Sequence, residues 1–381
     1  MKRSWLNREL AGNLASAAQT AAYPESVRFR LAGIKVPEMV RSGKNVASLM
    51  MSSPMVADEW QRNVEPRLAQ LLASAIAGQK GELLIDGLAV QNIETVWPRL
   101  LLACGAGTSR FWASSMQPGL EQFALSAKQS GLWHQEIVCG EASGFLPQLR
   151  MINKSSKLVV TSFPHYPSGA IMLPAAWREL CAYCEESGTR LVNYNRSADP
   201  QSKISRFHKV AAGFENLSWL EIFDPCTMLG KSEGWSLVSV IGSDDFVADF
   251  RMVGGSGREL FLPVAAGVLA AFREGLVESS AVILSKRSAL SDLCKVLSLR
   301  GLRLLVQPKS GYHALWQAPK TLDGEDLGGD GKAFNEAMRQ RYSVSGLPLA
   351  GTIAYSPLDM PHGNEWLGDL AERLGGSVIG Y

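Results

Sequence analysis

His165 and Tyr166 stand in the turn that follows Leu158-Val159-Val160-Thr161-Ser162-Phe163, a β-branched apolar run closed by Pro164. An imidazole and a phenol at a strand end can give and take protons. Asp224 opens the turn after Trp219-Leu220-Glu221-Ile222-Phe223, and Lys231 follows a short way on. His165 and Asp224 form a candidate acid–base pair, with Lys231 as a further amine. The plainer reading makes His165 a solvated turn residue, Asp224 a carboxylate bonded to backbone and Lys231 a surface cation.

Other reactive residues carry less. Cys181-Ala182-Tyr183-Cys184 has redox spacing but sits inside a helical pattern ahead of Gly188, whereas a reactive thiolate needs a helix N-terminus. No second such pair completes a zinc site, so both thiols read as structural. Gly254-Gly255-Ser256-Gly257-Arg258 can bind an anion on its amides, but reads better as a flexible turn. His134, His208, His313 and His362 show no ligand spacing, which predicts no metal. Trp112, Trp133, Trp219, Trp235 and Trp316 lie in apolar segments and read as core.

The elements that must hold these groups alternate. Residues 82–87 read as a buried strand ending at Gly87, and 92–104 as a helix with Pro98 as a kink or boundary. Strands at 111–115 and 136–139 flank a helix at 120–130. After the strand at 158–163 comes a helix at 174–187, with Pro174 at its start and Gly188 past its end. Strands follow at 190–194, 219–223 and 236–241. Strand–helix alternation predicts an α/β fold with a mostly parallel sheet covered by helices. Ligands in such sheets gather at the carboxyl ends of the strands. That rule groups Gly87, His165, Tyr166, Asn193, Tyr194 and Asp224 around one cleft. Past residue 245 helices are expected at 259–276, 288–299, 333–341 and 364–374. A hairpin is expected from 304–307 and 313–316, and a Gly/Asp-rich loop at 322–332. Together they make a smaller α+β unit. The boundaries expected are 1–50 for an N-terminal helical segment, 51–255 for the large α/β domain and 256–381 for the small one.

Composition narrows the function classes. Of 381 residues, 46% are hydrophobic and 19% charged, enough to bury a large core and unlike a disordered chain. The 38 basic and 36 acidic residues leave +2, with no basic block for nucleic acid. Six cysteines are too sparse for a disulfide scaffold. Asn7, Arg8 and Glu9 interrupt the start, so no signal peptide is read, and no apolar run reaches the ~20 residues of a membrane span. A cytoplasmic location is expected.

The order and intervals of these pieces resemble the fold-type I, class I/II pyridoxal-phosphate aminotransferases over about residues 55–375. Gly144-Phe145-Leu146-Pro147-Gln148-Leu149 looks like the family's GF-x-P-D-L stretch. KLVVTSFPHYPSG, residues 157–169, looks like its strand with the N-x-P-x-N-P-T-G turn. WLEIFDPCTMLGKSEGWSLVSVIGS, residues 219–243, resembles the segment that carries the cofactor lysine. The resemblance implies a fold-type I architecture, a cleft at a two-fold homodimer interface and a small amino-acid-like substrate.

The same resemblance shows departures. The family's cofactor lysine falls at Thr227 counted from Glu221, or at Met228 counted back from Gly234-Trp235, with Lys231 downstream of both. The carboxylate that pairs with the pyridinium falls at Tyr194, after Asn193. The asparagine beside the ring oxygen is Tyr166, and the stacking aromatic is Leu120. The phosphate arginine is Ser236, and the substrate-carboxylate arginine falls near Ala354. The expectation drawn from these positions is a protein without a cofactor, with pyridoxal phosphate, held by Lys231, as the alternative. The remnant cleft of Gly87, Leu120, Tyr166, Asn193, Thr227 and Ser236 would then serve cofactor-independent biosynthetic chemistry, with His165, Asp224, Tyr194 and Lys231 as its reactive groups. The competing reading is a pseudoenzyme, a binding subunit for a biosynthetic partner protein.

Overall fold

The computed structural model describes residues 86–90, 93–196, 206–224, 238–253, 276–357 and 365–381. The N-terminal segment, the helix at 259–276 and the candidates Thr227, Met228, Lys231 and Ser236 lie outside the described residues.

The architecture is a seven-stranded sheet in the order β1-β7-β6-β5-β4-β2-β3. Its strands are β1 Asp86–Val90, β2 Trp112–Gln117, β3 Trp133–Val138, β4 Ser156–Thr161, β5 Arg190–Asn195, β6 Trp219–Phe223 and β7 Val238–Gly242. β7 runs antiparallel to both β1 and β6, and the other pairings are parallel. This is the mixed, mostly parallel sheet that the alternating pattern predicts. The buried strands read as near-continuous apolar runs because helices cover both faces.

The covering helices are α1 Ile93–Ala103, α2 Glu121–Gln129, α3 Pro174–Ser187, α4 Phe207–Ala211 and α5 Asp244–Val253. α3 shows how the sequence dictates such an element. Pro174 opens it where no amide partner is needed. Trp177, Leu180, Cys181 and Cys184 form its buried stripe, and Gly188 ends it at φ 63°. The two cysteines are therefore packing residues. Burial pushes the Cys181 thiol up to about 12, which keeps it protonated. Pro98 lies within α1 and does not end it.

A second core follows, built on α6 Leu276–Leu299, α7 Gly331–Tyr342 and α8 Glu365–Leu374. These pack with β8 Ala314–Gln317, β11 Leu347–Leu349 and β12 Thr352–Tyr355, a three-stranded sheet ordered β11-β12-β8. The predicted hairpin is only partly formed. β8 pairs along its length with β12, and residue Leu304 meets Trp316 through one isolated bridge. The expected loop at 322–332 instead holds short strands: β9 Thr321–Leu322 pairs with β10 Glu325–Asp326 and with β13 Ile379–Gly380.

Phe145, Ala170, Leu315 and Ala354 form a small apolar cluster between the two cores. The amides of Lys309 and Ser310 both donate to the Gly169 carbonyl, at 2.9 and 3.1 Å. A Cβ on Gly169 would fall 2.5 Å from Pro308 Cβ, so only glycine admits this close approach. The turn after β4 is thus fixed from the side of the second core.

Candidate functional site

Two loops and one strand end meet at Tyr166. The turn after β2 reaches it so closely that a Cβ on Gly119, at φ 114°, would lie 2.1 Å from the Tyr166 carbonyl oxygen. From the second core, the His313 ring meets the Tyr166 ring edge-on, with centroids 4.8 Å apart. From the end of β5, the Arg196 guanidinium stacks over the same ring at 4.2 Å. Tyr166, Arg196 and His313 are all half-buried. A guanidinium stacked on a phenol ring, beside an imidazole, has N–H groups that can donate to an anionic group.

Side-chain alternation along β5 decides who joins them. Tyr194 shares a sheet face with Arg196, and its ring packs edge-on against Trp97 of α1 at 5.4 Å with only 6% exposed. Asn193 points to the opposite face, where it is buried with Glu221 and Thr161. Asn193 therefore does not line the cleft, a correction to the grouping by strand end alone. Gly87 is also displaced from its expected place. β1 runs on to Val90, and Gly87 pairs with Ile241 near the strand's start, because the ladder to β7 continues through the glycine. Leu120 is buried at 2% in the large core, at the N-terminal end of α2.

His165 is not the solvated turn residue expected. It is 1% exposed, between Phe145 and Phe163. Its Nδ1 lies 2.7 Å from Ser168 Oγ, and its ring also faces the Pro118 carbonyl. Burial pushes its pKa down to about 4, against an upward pull from the Pro118 carbonyl. His165 is a neutral imidazole beneath the turn that Tyr166 crowns. Asp224 is half-buried, and its amide donates to the Asn195 carbonyl at 3.2 Å, which ties the ends of β5 and β6 together. Among the described residues no cluster of His, Cys, Asp or Glu can hold a metal.

Sequence reasoning passed over Arg196, His313, Gly119 and Glu221. Arg196 was accessible from period two: it stands next but one to Tyr194 and shares its face. His313 comes from the other core, and nothing local announces it.

No known family profile and no curated protein sequence matches the chain. Solved structures do. Substrate-bound BacF from Bacillus subtilis superposes with a TM-score of 0.71 at 15% identity, covering 89% of this chain and 86% of its own. The L,L-diaminopimelate aminotransferase of Chlamydomonas reinhardtii gives 0.70 at 14% identity, with 89% and 86% covered. The aspartate aminotransferase of Thermus thermophilus with maleate gives 0.65 at 17% identity, with 81% and 80% covered. The fold is that of the fold-type I aminotransferases.

The expectation that the chain takes no cofactor stands corrected. The solved structures that share this fold include aminotransferases, and the fold carries no sign that the cofactor has been lost. Tyr194, the position where the resemblance places the carboxylate for the ring nitrogen, is buried against Trp97, and its phenol is a donor rather than a carboxylate.

Proposed function

We propose that the cleft binds a small amino-acid-like ligand through its anionic group, and that the chain works as an aminotransferase-type enzyme with pyridoxal phosphate. The observation that carries this is the stack of Arg196 on Tyr166 at the strand ends, with His313 closing from the second core. Arg196 would take the ligand's carboxylate in a fork, as arginine does. It would replace the arginine that the resemblance places near Ala354, a position here 1% exposed in the apolar cluster between the cores. The maleate in the Thermus thermophilus structure, a dicarboxylate, is a ligand of the same chemistry. Tyr166 would lie flat beside a planar group, and the Tyr194 phenol would face the cofactor's ring nitrogen. Lys231 is the candidate for the covalent anchor. When bound, pyridoxal phosphate supplies a carbonyl for the substrate amine and an electron sink. A homodimer, the state the resemblance implies, is part of this reading.

The test is a titration of the purified protein with pyridoxal phosphate, read by absorbance and by peptide mass after borohydride reduction. Binding with a modification at Lys231 supports the reading, and absence of both defeats it. Light scattering should return twice the 41.3 kDa chain mass.

The phenol at Tyr194 favours one further reading, a binding subunit without turnover for a biosynthetic partner. Binding of pyridoxal phosphate with no amino-group exchange across a panel of amino acids would select it.

A further inference from the structure

Glu221 is a carboxylate in the middle of the apolar strand Trp219–Phe223, and it is 0% exposed. Such a group must be fully satisfied by hydrogen bonds. One oxygen, Oε1, accepts from Asn195 Nδ2 at 2.9 Å and from Asn193 Nδ2 at 3.3 Å. The other, Oε2, accepts from the His208 amide at 3.1 Å and from His208 Nδ1 at 2.6 Å. Burial pushes the Glu221 carboxyl up, but His208 and Asn195 outweigh it and hold it below the usual carboxylate range.

The network continues upward. Asn193 Oδ1 accepts from the Phe163 amide at 2.9 Å, and its Nδ2 donates to the Phe163 carbonyl at 3.0 Å. Backbone pairing between β4 and β5 stops at Thr161 and Asn193. Beyond that point the Asn193 amide does the work of the ladder and fixes Phe163, the residue that leads into the Tyr166 turn. Asn195 immediately precedes Arg196.

We infer that Glu221 is a positioning residue for the cleft: its single carboxylate clamps Asn193 and Asn195, and so sets the turns that carry Tyr166 and Arg196 relative to each other. An acceptor-only group facing both amides forces their Nδ2 atoms toward it. That fixes Asn193 Oδ1 toward Phe163. His208, anchored on α4, holds the opposite side of the carboxylate. The functional meaning of this clamp rests on the proposed ligand site, but its existence does not.

Glu221→Gln tests it, because the shape is kept while an NH2 is set against N–H donors. Hydrogen exchange by mass spectrometry should show peptides over 162–168 and 193–196 exchanging at least about tenfold faster, a local opening, with α3 and the β8–β12 pair unchanged. Pyridoxal phosphate binding should weaken in parallel. An even rise across the whole sheet, or none at these two turns, overturns the inference. His208→Asn keeps a donor for Oε2 and should retain the protection that His208→Ala loses. If Glu221→Gln does not fold, Asn195→Ala serves instead. It should loosen 193–196 while sparing 162–168, and equal loosening of both or of neither counts against the clamp. Should the wild type bind no pyridoxal phosphate, the ligand reading fails, while the exchange data still judge the clamp.

Discussion

The Arg196 guanidinium lies 4.2 Å from the centre of the Tyr166 ring, and the two residues come from the ends of different strands. A cation over an aromatic face contributes about 0.5–2 kcal/mol, enough to hold a long side chain in place before a ligand arrives. Arg196→Ala should weaken binding of maleate or pyridoxal phosphate by at least about tenfold, or ~1.4 kcal/mol. Arg196→Lys should recover only part of this, since an ammonium lacks the planar fork. Isothermal titration measures both. Equal affinity in all three proteins would remove Arg196 from the site.

His165 gives the fold a pH dependence. Its imidazole titrates at 6.5 when unfolded and at about 4 in its buried place. Between those values the unfolded chain binds more protons, so stability grows as pH rises and is lost as pH falls from 6.5 toward 4. The shift corresponds to about 3 kcal/mol at full effect. His165→Asn, which cannot titrate, should flatten this window in urea melts at a series of pH values. A variant whose acid-side slope matches the wild type would place the dependence elsewhere.

The fold was legible because most elements carry their own local signals. α3 appears in the sequence from Pro174 to Ser187 with its stop at Gly188, and the structure places it there. β6 is equally plain as an apolar run. What failed was what depends on distant partners. Gly87 reads as a strand end, yet the ladder to β7 carries β1 through it. His165 reads as exposed, because nothing local reveals that Phe145 and the second core cover its turn. α4 is too short to show a helical period, so the His208 side of the Glu221 network stayed hidden. Glu221 itself gave a signal: a charge inside an otherwise apolar strand demands a buried partner.

Gly119 is required by the site rather than by its turn alone. Alanine there would set a Cβ 2.1 Å from the Tyr166 carbonyl at φ 114°. Gly131, at φ 71° with open space around it, isolates the backbone cost of leaving glycine. Gly119→Ala should therefore destabilise by more than Gly131→Ala, by about 1–3 kcal/mol, since the clash adds to the strain. It should also weaken ligand binding, whereas Gly131→Ala should not. Thermal melts of the two variants side by side decide it. Matching losses in both would mean that the turn after β2 can move away from Tyr166 freely.

Tyr355 carries a polar atom that the second core does not use. Its hydroxyl is fully buried with no hydrogen-bond partner among the described residues, and Trp316, whose ring lies 5.5 Å away, likewise has an Nε1 with none among them. Burial pushes the Tyr355 phenol up, so it stays neutral. A buried hydroxyl without a partner costs about 1–3 kcal/mol of desolvation. The ring itself packs against Trp316 and β8, so the aromatic face must stay. Tyr355→Phe keeps the ring and deletes only the hydroxyl. The variant should be more stable than the wild type by about 1 kcal/mol, a rise of about 1 °C in Tm for a chain of this size. Tyr355→Leu, which also deletes the ring stacking, should be less stable than either. A fall in Tm for Tyr355→Phe would show that the hydroxyl is satisfied in solution by a bound water bridging it to Trp316.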